Sequence, residues 1–94
     1  MAKTIQVGII GAGGIARYAH VPGYQAVKGV KLVAVADIVP GKAAELAQEF
    51  GIPHAYESME EMFANEQLDA VSVCTPNFAH KEVTLAALNA GLHV

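Results

Sequence analysis

The chain of 94 residues has one cysteine, Cys74, so it can close no internal disulfide. No Cys/His cluster stands at zinc-ligand spacing. Lysine and arginine total 6, never two in a row, against 9 acidic residues, for a net charge of −3. Nucleic acid and anionic membrane surfaces therefore find no electrostatic footprint here. No apolar run approaches the roughly 18 residues that a membrane-crossing helix needs. The opening "MAKTIQ" lacks the charged-then-apolar pattern of a secretory signal. Internal repeats, low-complexity tracts and linkers are missing as well. What remains is a soluble, cytoplasmic protein in a reducing compartment, with one small domain at most.

Apolar residues are plentiful, at 53% against only 16% charged, a balance that suits buried strands covered by helices. "IQVGII", "KLVAVAD" and "DAVSVCT" are nearly continuous apolar runs, as strands buried on both faces should be. Between the second and third, Ala43, Leu46, Ala47 and Phe50 recur at i, i+3, i+4 and i+7, and Gly51 is a natural stop. Ser58 and Glu61 form a capping-box pair that opens a short helix, and "HAYES" before it reads as a short edge strand. His80, Val83, Ala87 and Ala90 share one face of a last helix ended by Gly91, and "LHV" begins a further strand. Pro22 restarts a turn after His20. Alternation of this kind specifies an α/β fold, a doubly wound parallel sheet with helices on both faces.

The stretch "VGIIGAGGIARYAH" carries the chemistry. Gly11, Gly13 and Ala16 fit G-x-G-x-x-[GA] directly after a strand and opening a helix. Gly11 permits a tight turn, Gly13 lets the backbone approach a pyrophosphate, and Ala16 keeps helix and strand close. The helix N-terminus adds free N–H groups and a partial positive charge. Alone, such a triplet is equally a plain turn. Here the second strand ends in Asp37, about 20 residues on, where an acid meets the adenosine ribose hydroxyls. A carboxylate repels a 2′-phosphate, so NAD is favoured over NADP, although Lys42 could soften that preference. Asp37 also fits a plainer role, a strand cap turning into "IVPGK".

The segment "CTPNFAH" falls at the carboxyl end of the sheet, where open α/β folds bind ligands. Thr75 and Asn77 can hydrogen-bond a ribose or carboxamide, while Asn77 equally serves to cap the last helix. Cys74, in an apolar strand without a basic neighbour, reads as a buried small hydrophobe and not a nucleophile. His20 and His80 are acid/base candidates with no partner evident in sequence, each equally a surface or capping histidine. Tyr18 packs on or shields the loop. No catalytic or metal-binding set emerges.

Taken together, "VGIIGAGGIARYAHVPGY", "LVAVAD", the helix ending in "EFGI", "DAVSVCTPNFAH" and "TLAALNAGLHV" resemble the N-terminal domain of the Gfo/Idh/MocA oxidoreductases, over essentially the whole chain. The resemblance implies a Rossmann domain of strand order 3-2-1-4 with a fifth strand barely begun, followed in family members by a substrate domain. It implies hydride transfer between NAD or NADP and a sugar, polyol or related hydroxyl compound. The family's phosphate loop falls on Gly11, Ala12, Gly13, Gly14 and Ile15, and its ribose-binding acid on Asp37. Its "TPN" segment falls on Thr75, Pro76 and Asn77, with His80 a turn later. The family's Glu-Lys-Pro motif and second domain lie beyond Val94. Residues 1–94 thus read as the front part of a dinucleotide-binding domain, inactive alone. An open strand edge would favour a homodimer, by edge pairing or by a swapped terminus. Two other readings stay open: a methyltransferase-like nucleotide fold, and a truncated or designed self-associating unit without useful ligand affinity.

Overall fold

A computed structural model describes residues 4–14, 16, 20–75 and 77–94, with residues 77–80 described by their backbone alone. The strands are β1 (Ile5–Ile10), β2 (Val30–Ala36), β3 (His54–Tyr56) and β4 (Ala70–Val73). The helices are α1 (Val21–Gln25), α2 (Lys42–Phe50), α3 (Met59–Asn65) and α4 (Asn77–Asn89). All strand pairs are parallel, in the order β3-β2-β1-β4, as the alternating pattern predicts. His93 adds one parallel pairing with Ala70 on the outer side of β4, which marks the fifth position.

The apolar runs become the two central strands because both their faces are covered. Leu32 to Ala36 are all buried and divide between the two layers, with Val33 and Ala34 sharing one layer where the β1–β2 register is irregular. On one face Val7, Ile9, Leu32 and Val35 pack with Val21 of α1 and with Ala43, Leu46 and Ala47 of α2. On the other, Ile10, Val33, Ala34, Ala36 and Val71 pack with Met62 of α3 and with Val83 and Ala87 of α4. The sheet is therefore doubly wound. Between Val7 and Gly8 the β1–β2 register slips by one residue. A Cβ on Gly8 would lie 2.9 Å from Leu68 Cδ1, so α3 and its following loop approach β1 at that point.

Local signals hold where they were strongest. Ser58 caps α3, its hydroxyl accepting the Glu61 N–H at 3.1 Å. Gly51 ends α2 in the left-handed region at φ 69°. Gly91 ends α4 likewise, with the Leu92 N–H bonded to the Ala87 carbonyl. One detail differs: Ala90 does not join the buried face of α4, since the helix stops at Asn89 and Leu92 folds back onto the core instead. Among the described residues no helix is long and apolar enough to cross a membrane, and no His/Cys/Asp/Glu group is arranged to hold a metal ion.

Candidate functional site

The carboxyl ends of β1, β2 and β4 point to one side of the sheet, and the loop after β1 lies across them. The Gly11 N–H donates to the Ala36 carbonyl at 2.7 Å, holding the loop against the end of β2. Gly11 has φ 99°, and a Cβ there would sit 2.7 Å from the carbonyl carbon and oxygen of Cys74. Left-handed backbone and backbone contact together admit only glycine. Gly13 is different. Its φ is not positive, and a Cβ would meet nothing within 4 Å, so no described neighbour demands glycine. Gly13 lines open space at the crevice. Ala16 is fully buried against the strands, as the third position of the motif requires for close helix–sheet packing.

Asp37, at the end of β2, is tied down twice. Its Oδ2 accepts the Ala12 N–H at 2.7 Å and its Oδ1 accepts the Val39 N–H at 2.8 Å. Across the crevice, Thr75 Oγ1 is buried without a hydrogen-bond partner among the described residues. Buried hydroxyls without partners are uncommon and costly, so this one points to a group that arrives from outside. Gly11, Gly13, Gly14, Asp37 and Thr75 all line a single cavity of about 710 Å³. Its far wall is apolar and exposed: Ile38 and Val39 stand 83% and 46% exposed on the turn after β2. Lys42, Glu60 and Glu82 bring one positive and two negative side chains to the rim. Ala12 borders a smaller cavity of about 160 Å³ on the same loop, with Gly13, Gly14, Lys42 and Glu45.

The structure thus brings together six of the expected site residues: Gly11, Ala12, Gly13, Gly14, Asp37 and Thr75. Ile15 and Pro76 lie outside the described residues, as does Tyr18. Asn77 and His80 are placed by backbone only, as the first and fourth residues of α4, so Asn77 enters the helix instead of preceding it. Cys74 is buried at the crevice floor, and burial pushes its thiol up to about 11, in keeping with a hydrophobe and not a nucleophile.

His20 departs from the expectation of an unpartnered or capping histidine. It makes no side-chain cap bond to α1. Its Nδ1 lies 2.8 Å from Ser72 Oγ, which also meets the Tyr24 hydroxyl at 2.9 Å. This cluster joins α1 to β4 and lines neither cavity. Sequence spacing could not reveal it, because 52 residues separate the partners. A second network joins β3 to the residue that follows α3. Glu66 accepts from the Tyr56 hydroxyl and pairs with His54 Nδ1 at 2.8 Å; the hydrogen bond to Glu66 holds the Tyr56 phenol up to about 12. The apolar wall of Ile38 and Val39 has a signal in the sequence, two large aliphatics directly after the strand-ending acid.

Comparison with known proteins adds a family and relatives. Residues 5–94 match the model of the GFO_IDH_MocA oxidoreductase family, NAD-binding Rossmann fold. The chain is 40% identical over 93 residues to D-glucoside 3-dehydrogenase of Escherichia coli, covering 99% of this chain and 26% of that protein. It is 39% identical over 87 residues to D-xylose 1-dehydrogenase (NADP(+)) 2 of Haloferax volcanii, covering 93% of this chain and 26% of the relative. The crystal structure of scyllo-inositol dehydrogenase from Lactobacillus casei, with bound NAD(H) and scyllo-inositol, superposes with a TM-score of 0.86 at 31% identity. That match covers 98% of this chain and 27% of the other. The chain therefore spans about a quarter of the length of the relatives it matches.

Proposed function

This chain belongs to the Gfo/Idh/MocA oxidoreductase family, as its NAD-binding Rossmann domain, and from that premise we propose that the crevice holds a nicotinamide dinucleotide across the glycine-rich loop. The carrying observation is Gly13, a glycine that no described neighbour requires, with open space beside it on the cavity lining. Backbone N–H groups at the start of a helix favour a diphosphate there. Asp37 keeps lone pairs for ribose hydroxyls, Ile38 and Val39 offer an apolar wall to a base, and Thr75 Oγ1 gains the partner it lacks. Ile15, Pro76, Asn77 and His80 complete the set that the family resemblance assigns to the cofactor. When bound, the nicotinamide supplies or accepts the hydride.

NAD is preferred over NADP in this reading. Among the described residues, Asp37, Glu60 and Glu82 set three carboxylates against the ammonium of Lys42 around the crevice, a poor setting for a 2′-phosphate. The substrate of the whole protein is a sugar, a polyol or a related hydroxyl compound, by analogy with relatives whose names specify glucoside, xylose and inositol. In this reading the 94 residues are the front part of the dinucleotide-binding domain, acting in the cytoplasm. A homodimer through the outer edge of β4, where His93 makes the one pairing among the described residues, belongs to the same reading. Titration of the purified chain with NADH, NADPH and S-adenosylmethionine, followed by fluorescence and thermal shift, tests the cofactor. Saturable binding of NADH, tighter than NADPH and with no response to S-adenosylmethionine, is expected; a response to S-adenosylmethionine alone overturns the reading.

A further inference from the structure

We propose that Asp37 is the positioning residue of the glycine-rich loop, deciding through Ala12 which backbone N–H groups are left for an anion. Two successive loop amides are fastened to the end of β2. The Gly11 N–H goes to the Ala36 carbonyl and the Ala12 N–H to Asp37 Oδ2, each at 2.7 Å. The second carboxylate oxygen takes the Val39 N–H at 2.8 Å. One side chain therefore ties the loop after β1 to the turn after β2, through bonds of the short, charge-assisted kind. The Ala12 amide is committed to Asp37, so the diphosphate-binding amides begin at Gly13. That the anion is a dinucleotide diphosphate rests on the preceding proposal; the fastening of the loop does not.

Electrostatics makes the point sharper. A carboxylate close behind an anion-binding loop repels the anion. A residue that served the ribose hydroxyls alone would weaken diphosphate binding by its charge, whereas one that shapes the loop strengthens it by geometry. The residue type follows as well: the two N–H donors meet different oxygens, Oδ2 and Oδ1, and asparagine would put an NH2 donor in the place of one of them. The two roles therefore predict opposite signs for Asp37→Asn on a ligand without ribose hydroxyls.

The test compares the chain with its Asp37→Asn variant in two measurements. The first is amide hydrogen exchange without ligand. The Ala12 amide should be protected in the parent and exchange about tenfold faster in the variant, while the amide of buried Val35 is unchanged. The second is the affinity for 2′,3′-dideoxyadenosine diphosphate, which has no ribose hydroxyls. The positioning role lowers it several-fold in the variant; a role confined to the ribose leaves it unchanged or raises it, and that result overturns the proposal. Equal Ala12 exchange in the two proteins overturns it too. If exchange accelerates but neither protein binds the nucleotide, the fastening of the loop is upheld and the dinucleotide reading is what fails. Should the variant not fold, an Ala12 amide exchanging at the unprotected rate in the parent is enough to reject the proposal.

Discussion

At Gly13 a side chain meets only open space, so Gly13→Val should leave the fold stable to within about 1 kcal/mol while filling the place of the diphosphate. Thermal melting and NADH titration of the same sample check both halves, and a variant that binds NADH as the parent does refutes the cradle. Gly11→Ala is the contrasting case. Left-handed strain alone costs about 1–3 kcal/mol, and the added Cβ presses on the Cys74 backbone, so a large fall in melting temperature is expected. Asp37→Ser removes the charge facing a 2′-phosphate and should lower the NADH/NADPH affinity ratio, by at most about 1.5–3 kcal/mol. The fastening of Ala12 adds a loss of affinity common to both cofactors, which separates the two effects in one experiment. Cys74 offers a pH test. Its thiol is raised from an ordinary 9 to about 11, so the folded state favours the protonated form. That stabilisation is whole below pH 9 and is lost as pH rises through 9 to 11, the sign for a folded pKa above the unfolded one. Disulfide-exchange reagents at pH 8 should label Cys74 slowly in the native chain and fast in denaturant.

Helices and strands followed their local signals to different degrees. The capping serine of α3 was legible because the bond closes within three residues, from Glu61 N–H to Ser58 Oγ. Ser58→Ala should cost about 1 kcal/mol, seen as a melting temperature lower by about 4–8 °C in a domain of this size. The buried stripe of α2 was legible too, since Ala43, Leu46 and Ala47 repeat at the helical period and all are buried. The end of α4 was read one step too far: Ala90 keeps the period, but the left-handed Gly91 turns the chain and sends Leu92 to the core in its place. In the His20–Ser72–Tyr24 cluster, periodicity carried no information at all. Its partners come from α1 and β4, which only the parallel sheet brings side by side.

For the molecule as a whole, the described crevice offers carboxylates, one ammonium, a hydroxyl and a buried thiol, while the paired histidines His20 and His54 lie off its lining. Hydride transfer from an alcohol needs a base to take the hydroxyl proton and a held substrate carbon. Incubation of the chain with NAD and a panel of sugars, inositols and other polyols, followed at the absorbance of reduced nicotinamide, tests the carboxylates Asp37, Glu60 and Glu82 and the α4 residue His80 as that base, one substitution at a time. The outer edge of β4, where His93 makes the one pairing among the described residues, is the contact of the proposed homodimer. Sedimentation at high micromolar concentration should show a dimer, and a strict monomer refutes the edge-pairing proposal.

The amino-acid order by itself determined the alternation of strands and helices, the glycine motif and the acid that follows it. These depend on hydrophobic period and on residues a few positions apart, which the linear chain displays directly. The tertiary structure alone decided what those residues do to one another. It placed the Cys74 carbonyl where a Cβ on Gly11 would stand, left Thr75 Oγ1 without a partner at the crevice, and spent both oxygens of Asp37 on amides of two separate loops. Apart from the Asp37–Val39 bond, which closes within two residues, these join segments far apart in sequence, set by how parallel strands stack their carboxyl ends together, and no local pattern encodes them.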